Sequence, residues 1–181
     1  YLLIMYAIID IGTNSTFLLV SHLSNNCHLI IDKNIQNQAR IGKGINESDF
    51  NIQEPSLKKC ADVLLEYKSA IGFMENVHVM GTHVFRKALN RDWAIDYLFQ
   101  KTGFKVNVIT EEEEATYSFM GAKEEIERYK VLDIGGGSCE LSVGGKESEA
   151  RFSMPIGAVS LYEKFKPTYS TISKVFSYID S

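Results

Sequence analysis

A strand–turn–strand pattern occurs twice in the sequence, and this repeat constrains the fold more than any other feature. Residues 7–20 and residues 130–143 both contain Asp-Ile-Gly-x-x-Ser between apolar runs. Each copy places an acidic residue, Asp10 or Asp133, directly before a turn. Because an internal repeat of this kind reflects repeated supersecondary structure, the sequence predicts two related units.

Both turns have the composition of an anion-binding loop. The first consists of Gly12, Thr13, Asn14 and Ser15, and the second of Gly135, Gly136, Gly137 and Ser138. Glycine allows close backbone approach, and consecutive N–H groups in such turns cradle anions. Carboxylates such as Asp10 and Asp133 are tolerable beside a phosphate mainly when a hard cation such as Mg²⁺ intervenes. A simple hairpin explains either copy alone, whereas the repetition favours a metal–phosphate site.

Size and composition indicate a folded protein with no nucleic-acid partner. The chain has 181 residues with 45% apolar residues, enough for one large or two small cores. The net charge is −4, and Lys and Arg are scattered, which leaves no basic surface for nucleic acid. The opening apolar run is too short to span a membrane, so we expect no membrane partner. Three widely spaced cysteines indicate reduced thiols and a cytoplasmic location.

Hydrophobic periodicity predicts a mixed α/β order. Residues 6–11, 16–21, 28–33 and 35–41 have strand-like patterns that begin an antiparallel meander. A helix is expected over residues 55–71, with Pro55 in its first turn and Gly72 as its stop. Further elements are expected as strand 76–82, helix 91–102, strand 105–109, helix 111–122, strands 130–134, 140–143 and 149–153, and helices 158–165 and 170–179.

Five sequence blocks in this order resemble the Ppx/GppA family of exopolyphosphatases and guanosine pentaphosphate phosphohydrolases, within the actin-like ATPase superfamily. The blocks are residues 10–15, 81–92, 108–122, 131–144 and 154–165. The resemblance implies an α/β fold in which residues 1–122 form an actin-like (ribonuclease H-like) domain with a mixed sheet. Residues 123–181 would then form the N-terminal part of a second, similar domain.

The resemblance also implies roles for particular residues. Glu114, the Glu before Ala in a Glu-Glu-Ala block, matches the general base of the family, and Arg86 matches an arginine near the phosphate path. Asp133 and Glu140 match acidic positions for metal binding, with Asp10 as a further candidate, and residues 135–138 match the second phosphate loop.

Each of these residues also has a structural interpretation. Residues 111–114 could form a solvated first turn of a helix, where negative charge is favourable. Arg86 could pair with a surface carboxylate, and Glu140 could be an exposed strand residue. Gly157 could begin a helix rather than contact phosphate.

The implied function is release of terminal phosphate from inorganic polyphosphate, guanosine pentaphosphate or both, by metal-assisted attack of water. One alternative is an actin-like ATP-binding protein. Another is a phosphate- or alarmone-binding regulator, or a truncated paralogue that depends on a partner, because the sequence stops at Ser181 while family members continue. Unpaired strand edges would favour association, so a homodimer is possible.

Overall fold

The computed structural model describes residues 4–122, 128–145 and 149–166. The chain folds into two compact units, Tyr1–Thr110 and Glu111–Ser181. The division falls one helix before the boundary expected after residue 122, because the helix that begins at Glu111 packs on strands of the second unit.

A five-stranded mixed sheet forms the centre of the first unit. Its antiparallel strands are β1 (Met5–Ile11), β2 (Thr16–Leu23) and β3 (Leu29–Asn37), and β4 (Val77–Gly81) and β5 (Val106–Val108) continue it in parallel, in the order β3-β2-β1-β4-β5. The sequence predicted two strands over residues 28–41, and this was wrong. A single strand β3 runs through a bulge, in which Val20 pairs with Lys33 and Ser21 with Ile31, so Asp32 is the extra residue.

Three α-helices accompany this sheet in the described part of the first unit, α1 (Glu54–Ile71), α2 (His83–Lys87) and α3 (Arg91–Thr102), together with a short 3-10 helix at Ile45–Glu47. Helix α1 has proline in its first turn and ends at Gly72, and α3 ends at Gly103 in the left-handed conformation with φ 75°. Both stops agree with the sequence prediction. No sequence signal predicted α2, because its five residues are too few to show a helical period.

The core of the first unit lies between the sheet and α1. Alternate β1 residues Ala7, Ile9 and Ile11 are fully buried, as are Leu57 and Leu64 on α1. Helix α1 is also bound through Tyr67, whose hydroxyl donates a 2.7 Å hydrogen bond to the carbonyl of Thr16. Because Thr16 begins β2, this bond holds the chain immediately after the first glycine turn.

The second unit contains α4 (Glu111–Ala122), β6 (Arg128–Ile134), β7 (Cys139–Gly145), β8 (Glu149–Met154) and α5 (Ala158–Phe165). The strands form an antiparallel sheet in the order β6-β7-β8, and α4 packs on it. Phe119 of α4 is buried above Gly144, where a Cβ atom would lie only 2.2 Å from the Phe119 ring. The helix expected over residues 170–179 lies outside the described residues.

Two further sequence expectations concern membranes and thiols. Among residues 4–122, 128–145 and 149–166, no helix combines the length and apolar character that crossing a membrane requires. Cys27, Cys60 and Cys139 are free thiols, and burial raises the pKa of Cys60 from 9.0 to about 12. Cys60 is therefore a neutral core residue at ordinary pH.

Candidate functional site

The first glycine turn, residues 12–15, closes tightly between β1 and β2. The N–H of Gly12 donates to the carbonyl of Ser15 at 3.0 Å, and a Cβ at Gly12 would lie 3.0 Å from the same oxygen. The Asn14 amide donates to the Ser15 hydroxyl at 3.3 Å. The turn therefore uses the small residue at the position where the chain approaches itself most closely.

A neighbouring loop that the sequence analysis missed supports this turn. The N–H groups of Arg40 and Gly42 donate to the carbonyls of Asn14 and Thr13 at 2.9 and 3.0 Å. A Cβ at Gly42 would lie 2.4 Å from the Thr13 methyl carbon, so only glycine fits there without movement. Thr13 Oγ1 is buried and has no hydrogen-bond partner among the described residues, and a phosphate oxygen would offer it an acceptor.

Asp10 and Arg86 lie near the same end of the sheet in the first unit. Asp10 is half-buried on β1, paired in register with Phe17 of β2 and Met80 of β4. Arg86 on α2 is half-buried, and its Nη1 donates to the carbonyl of Ile109 at 3.0 Å. Its Nε and Nη2 atoms are also shielded from solvent, so Arg86 is no ordinary surface arginine.

The second glycine turn, residues 135–138, closes in the same way as the first. The N–H of Gly135 donates to the carbonyl of Ser138 at 2.9 Å, the equivalent of the Gly12–Ser15 bond. Ser138 is buried. The repeated sequence pattern thus produces a repeated backbone hydrogen bond, once in each unit.

Helix α5 supports the second turn from beneath. Its first N–H groups donate to turn carbonyls, from Ala158 to Gly135 at 3.0 Å and from Val159 to Gly136 at 2.8 Å. Gly157 lies against the turn, since a Cβ there would be 2.5 Å from the backbone of Gly136 and Gly137. Gly157 therefore begins the helix and packs on the turn, as the structural interpretation predicted.

Two acidic side chains lie directly opposite each other on the second sheet. Asp133 of β6 pairs in register with Glu140 of β7, which in turn pairs with Ser153 of β8. Directly opposed residues project from the same face of a sheet. Glu140 is only 2% exposed, so its interpretation as an exposed strand residue was wrong.

Serine hydroxyls bind both of these carboxylates. Ser118 of α4 donates to Asp133 Oδ2 at 2.5 Å, and Ser153 donates to Glu140 Oε1 at 3.0 Å. Neither serine was predicted from the sequence. Ser118 follows Glu114 by four residues, which places both on one face of a helix, so this spacing was an available signal. Ser153 depends on strand register, which the sequence did not define.

The four acids that begin α4 differ in their environment. Glu111, Glu112 and Glu113 are exposed, whereas Glu114 is half-buried and its Oε2 atom is shielded from solvent. The next residue, Ala115, is buried against the sheet. The interpretation of these acids as a solvated first turn therefore holds for the first three and fails for Glu114.

Cys139 lies beside the carboxylate pair, and its thiol is unsuited to nucleophilic attack. Burial is the main cause that raises its pKa, and the negative charges of Glu140 and Asp133 raise it further. The neutral thiol is a poor nucleophile, so we assign Cys139 no nucleophilic role.

Comparison with known proteins places this chain and its fold in a defined class. A profile of the Ppx/GppA phosphatase family matches residues 20–180. The structure superimposes on an exopolyphosphatase from Cytophaga hutchinsonii with a TM-score of 0.81 and 27% identity, covering 89% of this chain and 53% of that one. The fold is the actin-like α/β fold, as expected.

Two curated relatives extend the comparison. The chain is 31% identical over 173 residues to a bifunctional 3-dehydroquinate synthase/phosphatase of Fusobacterium nucleatum, covering 88% of this chain and 26% of the relative. It is 32% identical over 179 residues to a guanosine-5'-triphosphate,3'-diphosphate pyrophosphatase of Aliivibrio fischeri, covering 96% and 36%. The chain belongs to the Ppx/GppA phosphatase family, and it spans about a quarter to a third of the length of these two relatives.

Proposed function

We propose that this protein hydrolyses phosphoanhydride bonds and releases the terminal phosphate of inorganic polyphosphate, guanosine pentaphosphate or both. The family membership and the names of the relatives support the reaction class. The observation that carries the proposal is the opposed carboxylate pair of Asp133 and Glu140, beside a glycine turn and beneath the helix that bears Glu114.

The carboxylate pair fits a divalent cation such as Mg²⁺. Two negative charges directly opposite each other on a sheet destabilise it unless a cation or a proton intervenes. No Lys or Arg forms a salt bridge with Asp133 or Glu140 among the described residues. Magnesium takes oxygen ligands and commonly uses one or two carboxylates with water and phosphate oxygens. The described residues contain no cluster of three or more His, Cys, Asp or Glu side chains that could hold a metal, so water and phosphate oxygens would have to supply the remaining ligands.

The residues of the chain have separate tasks in the proposed reaction. Glu114 orients the attacking water and accepts its proton. We propose that the N–H groups of each glycine turn bind phosphate oxygens, and that Arg86 stabilises negative charge on the transferred phosphoryl group. Asp133 and Glu140 would hold the cation in the second unit, and we propose Asp10 as a candidate metal ligand in the first unit. When bound, Mg²⁺ offsets the negative charge that develops during phosphoryl transfer.

The cytoplasmic location and the possible homodimer remain predictions from the sequence. The proposed chemistry requires neither of them. The proposed reaction is also the same whether polyphosphate or guanosine pentaphosphate is the substrate.

Replacement of Glu114 tests the proposed base. Glu114→Gln keeps the size of the side chain and removes its basicity, so we expect phosphate release from polyphosphate to fall by about 10²- to 10⁴-fold with the fold intact. The measurement is steady-state phosphate release, with circular dichroism to check folding.

Glu113→Gln is the matched control, because the neighbouring Glu113 is exposed on the same helix turn. It should retain nearly full activity. Near wild-type turnover in Glu114→Gln would remove this residue from the role of base.

A further inference from the structure

The 2.5 Å hydrogen bond between Ser118 and Asp133 links the helix that carries the proposed base to the proposed metal ligand. We propose that Ser118 is a positioning residue, which orients the Asp133 carboxylate toward a divalent cation and holds α4 in place over it. The inference rests on the proposed function, because it concerns the same carboxylate pair.

The position of Ser118 on α4 suits this role. Ala115 and Phe119 are buried on the helix face that packs on the sheet, and Ser118 and Glu114 flank them as half-buried residues. Positions four apart lie one above the other on a helix. Displacement of Ser118 would therefore displace Glu114 as well.

Three kinds of contact hold α4 on the sheet. Phe119 rests on Gly144, where the absence of a side chain leaves space for the ring. The carbonyl of Ala115 is 3.5 Å from the Ser142 hydroxyl, at the limit for a hydrogen bond. The bond from Ser118 to a carboxylate is much shorter, and hydrogen bonds to charged groups are roughly twice as strong as neutral ones.

The same bond makes the two oxygens of Asp133 inequivalent. Oδ2 accepts from Ser118, while Oδ1 has no hydrogen-bond partner among the described residues. Glu140 shows the same arrangement, with Oε1 bound by Ser153. Each carboxylate thus has one oxygen held by a serine and one left for a cation, which is how outer hydrogen bonds orient the ligands of a metal.

Ser118 lies on helix α4, whereas Ser153 lies on strand β8. Ser153 lies on the strand next to Glu140, so its bond stays within the sheet. Ser118 reaches the sheet from the helix of Glu114. Loss of the Ser118 hydroxyl should therefore weaken cation binding and also slow turnover.

Magnesium binding measured by isothermal titration calorimetry tests the proposal on the 181-residue chain. Ser118→Ala should lower the Mg²⁺ affinity about 10- to 100-fold, and Ser118→Thr, which keeps a hydroxyl, should recover most of it. Phosphate release, measured in parallel, should show a fall in kcat larger than the change in KM. The melting temperature without Mg²⁺ should change by less than about 4 °C, as expected when little stability is lost.

Ser69→Ala is the matched control, because the Ser69 hydroxyl of α1 donates only to the Leu65 carbonyl of its own helix. It should leave Mg²⁺ binding unchanged. Equal Mg²⁺ affinity in Ser118→Ala and wild type overturns the proposal, as does a wild-type chain that binds no Mg²⁺. Wild-type Mg²⁺ binding without phosphate release contradicts the proposed function alone, and a weaker affinity in Ser118→Ala then still supports the positioning role.

Discussion

Burial distinguishes carboxylates that look alike in the sequence. Glu114 is half-buried although Glu111, Glu112 and Glu113 beside it are exposed, and Glu140 is almost fully buried on a strand. Burying an ionised carboxylate is costly unless it is paired or bound to a cation. These two residues, rather than the acidic run as a whole, are therefore where chemistry is expected.

A magnesium titration of Asp133→Asn tests the metal assignment at the level of one residue. Asparagine keeps the shape of the side chain and an acceptor for Ser118 but loses the charge, so we expect the Mg²⁺ affinity to fall at least about 10-fold. Asp92→Asn is the control, because the Asp92 side chain is 89% exposed and lies in the first unit. Superimposable Mg²⁺ titrations for Asp133→Asn and wild type would rule out Asp133 as a ligand.

At the scale of elements, the two glycine turns share their closing hydrogen bond but differ in their support. Gly12 and Gly135 each donate to the serine three residues later, at 3.0 and 2.9 Å. The loop at Arg40 and Gly42 supports the first turn, whereas helix α5 supports the second. The repeated motif therefore encodes the turn itself, and the surrounding chain supplies its scaffold separately in each unit.

The packing of α4 predicts the effect of a single added methyl group. In Gly144→Ala the new Cβ would lie 2.2 Å from the buried Phe119 ring, so we expect a loss of about 1–3 kcal/mol in the free energy of unfolding. Urea denaturation followed by circular dichroism measures this change.

Gly121→Ala, on α4 itself, provides the comparison. A Cβ at Gly121 would meet nothing within 4 Å, so this change should be neutral or stabilise the helix by about 0.5–1 kcal/mol. Equal stabilities of the two variants would show that Phe119 moves aside freely and that α4 is not held by this contact.

At the scale of the whole molecule, each compact unit contains a glycine turn with an acidic residue before it. The proposed ligands, polyphosphate and guanosine pentaphosphate, carry more phosphate groups than ATP, and turns of this kind bind phosphate oxygens through backbone N–H groups. The rival proposal of an actin-like ATP-binding protein differs in the ligand that it predicts.

Calorimetry with three ligands separates these proposals. In the presence of Mg²⁺ we expect polyphosphate and guanosine pentaphosphate to bind the chain at least about 10-fold more tightly than ATP, a difference of about 1.4 kcal/mol. Binding of ATP alone would favour the rival. Tight binding of guanosine pentaphosphate by a dimer that releases no phosphate would instead favour the non-catalytic regulator.

Local sequence signals predicted most of the elements. Proline and glycine defined the ends of α1 and α3, and the expected bounds of α3, α4 and α5 agree with the structure. These features depend on backbone preferences and on apolar spacing within a few residues. The repeat likewise indicated both glycine turns, because each turn is contained in four consecutive residues.

Tertiary structure decided the environment of the candidate site. The burial of Glu140, the bond from Ser118 to Asp133 and the support of the first turn by Gly42 each join residues from different elements. The packing of α4 on the strands of the second unit is likewise a contact between different elements. Such features depend on strand register and on the packing of distant segments, so the sequence alone determined which turns and acids are present, and only the folded chain determined which of them come together.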